Sequence, residues 1–110
     1  MELNSGVKKM HLIQLLLPLY SNAGVPFEQK LFIDVRNELV DRFGGITAYT
    51  RAPVNGLWQE SARLVRDDLI IYEIMVEALD EDWWRDYRIL LENRFQQESL
   101  VVRTHRIRVL

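Results

Sequence analysis

At 110 residues the chain has room for one domain built on one hydrophobic core. Hydrophobic residues make up 48% and charged residues 27%, ordinary globular usage that argues against disorder and low complexity. The net charge of −2 gives no overall electrostatic footprint for nucleic acid or an anionic membrane, and the absence of cysteine removes disulfides and thiolate metal ligands.

The first feature in chain order is the apolar run Leu12 to Tyr20, preceded by Lys8 and Lys9 and followed by Ser21-Asn22-Ala23. That layout has the outline of a signal peptide with a small-residue cleavage site. However, Gln14 and Pro18 interrupt the run, and it is too short to span a bilayer. The reading adopted is a strand over His11 to Tyr20, apolar nearly throughout, as a central strand covered on both faces would be. Met10 offers an alternative start, so residues 1–9 are expected to be a loose leader and 10–110 a single domain of a cytoplasmic protein.

Ser21-Asn22-Ala23-Gly24 is turn chemistry, and Pro26 suits the first turn of a helix. The helix is expected from about Phe27 to Phe43. Leu31, Val35 and Leu39 recur at four-residue spacing, flanked by Phe32, Val40 and Phe43, with Gly44-Gly45 as the stop. Ile46 to Ala52 alternates as a second strand, bent by Pro53, Asn55 and Gly56. Leu57-Trp58 and Leu64-Val65 extend it as a hairpin around Glu60-Ser61-Ala62. Leu69 to Val76 is a third strand, again nearly continuously apolar. Asp80 is an N-cap for a second helix running to about Gln97, with Trp83, Tyr87, Leu91 and Phe95 as its stripe and Trp84 and Leu90 alongside. Leu100 to Val109 closes the chain as a fourth strand.

The order β-α-β-β-α-β predicts an α+β, ferredoxin-like sandwich: a four-stranded antiparallel sheet, spatial order 4-1-3-2, with both helices on one face. In that order the two most apolar strands are central and the more charged ones are edges, where charge discourages aggregation. With the central strands Leu12–Leu19 and Leu69–Val76 in this order, the chain resembles the dimeric α/β-barrel proteins within the ferredoxin-like fold. The stretch Arg42-Phe43-Gly44-Gly45-Ile46-Thr47-Ala48-Tyr49 is also similar to small bacterial proteins of uncharacterised function. The resemblance implies a homodimer formed through the open sheet face, and it implies no reaction.

Parity places Leu12, Gln14, Leu16 and Pro18 on that open face, together with Leu69, Ile71, Glu73 and Met75, since Gln14 and Glu73 sit poorly beneath helices. The second strand adds Thr47, Tyr49 and Arg51, and the fourth adds Arg103 and His105. Glu73 has two readings: a general base, or a structural carboxylate ion-paired to Arg51 or Arg103. Tyr49, Arg51 and Glu73 together are the candidate ligand-binding set, and Glu73 and His105 are the weak catalytic candidates. With histidine only at positions 11 and 105, no metal site is expected. Asp67-Asp68 and Asp80-Glu81-Asp82 read as a turn and a helix start rather than a cation site. Trp58 reads as a pocket cap or a packing residue. No phosphate-cradling glycine loop, nucleophile elbow or RNA-recognition aromatic pattern is present, so no cofactor, nucleic acid or membrane partner is expected. The leading function is a self-associating domain with room for a small ligand on its sheet face. The alternatives are a cofactor-free dimeric-barrel enzyme, of oxygenase or isomerase type, and a protein interaction module.

Overall fold

The computed structural model describes residues 6–51 and 68–110, with the side chain of Arg51 excepted. The bend at Pro53 to Gly56, the hairpin extension with Trp58, and Asp67 lie outside the described residues. The described elements are β1 (Lys8–Pro18), α1 (Gln29–Phe43), β2 (Thr47–Arg51), β3 (Leu69–Val76), α2 (Glu81–Arg94) and β4 (Val101–Val109). The four strands form one antiparallel sheet in the order β2-β3-β1-β4, the expected 4-1-3-2 order read from the opposite edge. Neither helix is long and apolar enough to cross a membrane.

Both helices cover the same face. Ile13, Leu15 and Leu17 of β1 and Tyr72 and Ile74 of β3 share that face, and they cluster with Val35 and Leu39 of α1 and Trp84, Tyr87 and Leu91 of α2. Burial of each large apolar side chain is worth about 1.5–3 kcal/mol, so this layer dominates the stability of the domain. Two features hold the helices in register. Glu38 of α1 accepts hydrogen bonds from the Tyr87 hydroxyl at 2.7 Å and from Arg94 at 3.0 Å, both on α2. Phe43 stacks on Trp84 and meets Trp83 edge-on, while the Arg42 guanidinium lies 4.2 Å from the Trp83 ring centroid.

Local chemistry sets the element ends. Gly44 ends α1 in the left-handed region at φ 86°, its N–H donating to the Val40 carbonyl at 2.7 Å. Asp80 caps α2, its carboxylate accepting from the Trp83 N–H at 3.1 Å. Pro26 does not open α1. The Phe27 N–H donates to the Leu19 carbonyl and the Ser21 N–H to the Val25 carbonyl, which keeps Pro26 extended in an isolated bridge with Tyr20. The helix therefore begins three residues later, at Gln29. The α2 stripe is centred on Trp84 rather than Trp83, and Leu90 is exposed, because the buried positions follow the 84, 87, 91 spacing. β1 begins at Lys8, ahead of the expected His11, because Lys8 to Met10 pair with Ile107 to Val109.

Candidate functional site

The face away from the helices carries Leu12, Gln14 and Leu16 of β1, Ile71, Glu73 and Met75 of β3, Thr47 and Tyr49 of β2, and Val101, Arg103 and His105 of β4. The register sets this grouping: Gln14 lies opposite both Glu73 and Arg103, and Thr47 lies opposite Glu73. Leu16 and Ile71 are cross-strand partners, buried although they lie outside the helix-side core. Met75 and Val101 are about half exposed, at 53% and 49%.

Through the middle of this apolar surface runs a polar chain that crosses all four strands. The Arg103 Nε donates to Gln14 Oε1 at 2.6 Å. Gln14 Nε2 donates to Glu73 Oε2 at 2.6 Å, and the Tyr49 hydroxyl donates to the same oxygen at 2.9 Å. Gln14 Nε2 also lies 3.3 Å from the Tyr49 oxygen. Tyr49 reaches Glu73 on the diagonal, since its own cross-strand partner is Ile71, and diagonal neighbours about 7–8 Å apart are within reach of an aromatic side chain. The hydrogen bond to Glu73, then desolvation, then the carboxylate charge hold the Tyr49 hydroxyl above the usual tyrosine pKa. Both donors converge on Oε2, and no hydrogen bond among the described residues uses Oε1 of Glu73.

The structure thus joins Tyr49 and Glu73, and it corrects the expected pairing of Glu73 with Arg103. Arg103 contacts Gln14, not Glu73, because β1 lies between β4 and β3 and puts the two residues about 10 Å apart across the sheet. Arg51 pairs at the backbone with Leu69, four residues along β3 from Glu73, which is about 13 Å along the strand. Antiparallel pairing carries β2 away from Glu73 as it advances from Thr47 to Arg51. The side chain of Arg51 lies outside the described residues, and no ion pair to Glu73 occurs among them. His105 sits opposite Leu12, exposed and away from Glu73, so the two weak catalytic candidates do not converge.

Gln14 and Arg103 are the members of the site that the candidate set omitted. The signal was there: Gln14 is the one hydrogen-bonding side chain between Leu12 and Leu19, and the strand order puts it between Arg103 and Glu73.

Beside Glu73 the surface dips into a hollow of about 400 Å³, lined by Leu12, Phe43, Ile46, Thr47 and Met75. It forms where β2 pairing stops at Thr47 and the Gly44-Gly45 turn swings the chain toward α1. A more apolar groove of about 510 Å³ lies on the opposite face, between α1 and the β2–β3 edge, among Phe27, Phe32, Ile33, Ala48 and Ile70. There the Tyr72 hydroxyl is already committed to the Phe32 carbonyl at 2.8 Å, so the groove offers less directed chemistry than the carboxylate does. Among the described residues no group of three histidine, aspartate or glutamate side chains converges to hold a metal ion. Asp80 is used in capping, and Glu81 and Asp82 pair with Arg85. Comparison with protein-family models, curated proteins and solved structures gives no match.

Proposed function

We propose that the chain is a ferredoxin-like domain of the dimeric α/β-barrel kind, which pairs with a second copy through its open sheet face and holds a small ligand beside Glu73. The observation that carries this reading is the composition of that face: accessible apolar flanks at Leu12, Met75 and Val101 around a polar chain that crosses all four strands. Apolar flanks of this kind are covered in stable soluble proteins. A second copy is the fitting cover because the charges are self-complementary: Arg103 lies on the β4 side and Glu73 on the β3 side. A twofold axis parallel to the strands sets each basic half over its partner's acidic half.

The ligand suited to Glu73 carries a hydrogen-bond donor, an amine or a hydroxyl, because the carboxylate is an acceptor with one oxygen uncommitted. Its apolar part would rest in the hollow against Phe43 and Met75.

Sedimentation velocity over a concentration series tests the assembly. A monomer–dimer equilibrium in the micromolar range is expected, and a species of only 13.1 kDa at the highest concentrations overturns the proposal. For the ligand, small amines and alcohols are screened by NMR chemical-shift changes in the protein and in the Glu73→Gln variant. Binding that vanishes in the variant with little change in melting temperature supports the site. Shifts unaffected by the substitution place any ligand elsewhere.

A further inference from the structure

β3 ends at Val76, opposite His11, so the first residues of β1, Lys8 to Met10, pair only with β4 and project as a two-stranded ribbon. On the helix-side face of that ribbon the register sets Lys9 opposite Arg108 and His11 opposite Arg106. Cross-strand neighbours lie about 5 Å apart at Cβ and same-face neighbours about 7 Å apart along a strand, so four nitrogen-bearing side chains form a small square. Like charges placed directly opposite one another destabilise a strand pair. No hydrogen bond or ion pair among the described residues relieves Lys9, Arg106 or Arg108. Glu77, the one carboxylate in the cleft they share, is paired with Lys8 at 3.5 Å. A cleft of about 570 Å³ opens among these residues. The concentration is notable in a chain with 16 acidic and 14 basic residues. Protection of an edge strand accounts for charge as such, but charges of mixed sign would protect it equally.

We propose that this end of the ribbon is an anion site for a small ligand bearing two linked phosphoryl groups. Each row of the square, Lys9 with Arg108 and His11 with Arg106, would take one phosphoryl group, the guanidinium donating in its two-pronged geometry and the lysine acting as a point charge. Glu77 also lines the cleft, its carboxylate paired with Lys8, and the lining holds no phenylalanine, tyrosine or tryptophan on which a base could stack, which favours a small oligophosphate over single-stranded nucleic acid. The square faces away from the open sheet face, so the site stands or falls independently of dimer formation and of ligand binding at Glu73.

The test is calorimetric titration of the full chain with inorganic pyrophosphate at low salt, alongside orthophosphate and a single-stranded oligonucleotide. Saturable binding of one pyrophosphate per chain is expected, about tenfold or more tighter than orthophosphate, because only the longer anion reaches both rows. The double substitution Arg106→Gln, Arg108→Gln should weaken it by about 30-fold or more, while Lys30→Gln with Arg36→Gln, which removes equal charge from α1, should change it less than about twofold. Circular dichroism and thermal unfolding establish that both variants are folded, as expected for exposed side chains. No saturation by about 10 mM pyrophosphate overturns the proposal. An equal loss in the α1 variant overturns it too, since net charge alone would then explain binding. Tight binding of the oligonucleotide without pyrophosphate binding overturns it in favour of a nucleic-acid surface.

Discussion

Met75 offers a quantitative handle on the proposed dimer. It lies on the central strand β3 opposite Leu12, on the open face, and it is 53% exposed in the isolated chain. Full burial of a methionine side chain is worth about 1.5–3 kcal/mol, so covering the remaining half contributes about 0.8–1.6 kcal/mol per copy. In a twofold-symmetric interface the contact occurs twice, giving about 1.5–3 kcal/mol for the dimer. Met75→Gln keeps the length of the side chain and removes that contribution, so the dissociation constant should rise about 10- to 150-fold. The folded monomer should lose less than about 0.5 kcal/mol, because the substituted atoms are already half in water. Sedimentation equilibrium of parent and variant measures the first quantity and urea denaturation the second. Ile89 on α2 is a matched control, 50% exposed on the opposite side of the domain, and Ile89→Gln should leave association unchanged. Equal dissociation constants for the parent and Met75→Gln would refute the argument, as would an equal weakening by Ile89→Gln.

Three further outcomes are expected. The raised pKa of Tyr49 means that the native state holds this proton more tightly than the unfolded state does, so its stabilising effect is present below about pH 10 and is lost as pH rises through the native value. Because the bond to Glu73 is the leading cause, Glu73→Gln should move the Tyr49 titration down toward ordinary tyrosine, followed by residue-resolved NMR of the ring carbons; an unmoved titration contradicts the contact. Gly44→Ala should destabilise by about 1–2 kcal/mol in chemical denaturation, a cost of backbone alone, since an added Cβ meets nothing within 4 Å and φ is 86°. Asp80→Ala should lower the melting temperature by several degrees, the effect of losing a cap worth about 1 kcal/mol, and Asp80→Asn should restore most of it.

Much of the architecture was legible because it rests on one-dimensional signals. Continuous apolarity marked β1 and β3 as central strands, glycine marked the end of α1, and Asp80 marked the start of α2. Parity also sorted the two sheet faces, since a strand alternates whatever its neighbours do. The site was legible only to the extent that it depends on parity. Tyr49 and Glu73 share a face and meet, but the partner of Arg103 follows from which strand lies between, and the distance of Arg51 follows from the antiparallel direction of β2. Both are consequences of pairing rather than of sequence order within a strand. The start of α1 shifted for a related reason: Pro26 is compatible with a helix, yet the Phe27 N–H is drawn to the Leu19 carbonyl, a contact 8 residues apart in the chain. Local propensity names what a residue tolerates, and the tertiary hydrogen bond decides what it does.

The polar chain and its apolar surroundings have separable roles in the proposed dimer. A face made only of leucine, isoleucine and methionine would associate over a range of angles, because apolar burial is non-directional. Gln14 removes that freedom. Its oxygen accepts from Arg103 and its nitrogen donates to Glu73, so the amide links a cation on β4 to a carboxylate on β3 in one orientation. The result is a dipolar belt across the sheet, positive at the β4 end and negative toward β2. Two such belts are favourably opposed when a twofold axis runs parallel to the strands, and rotation about the normal to the sheet toward a perpendicular axis brings like charges together. Such groups add little net affinity once their desolvation is counted, and their better-attested effect is to fix register. Tyr49 completes the belt at the β2 edge by donating to the same Glu73 oxygen. That arrangement leaves the other oxygen without a hydrogen bond among the described residues while the charge stays anchored to the sheet, so the group that would orient the proposed dimer is also the one that would present the proposed ligand site.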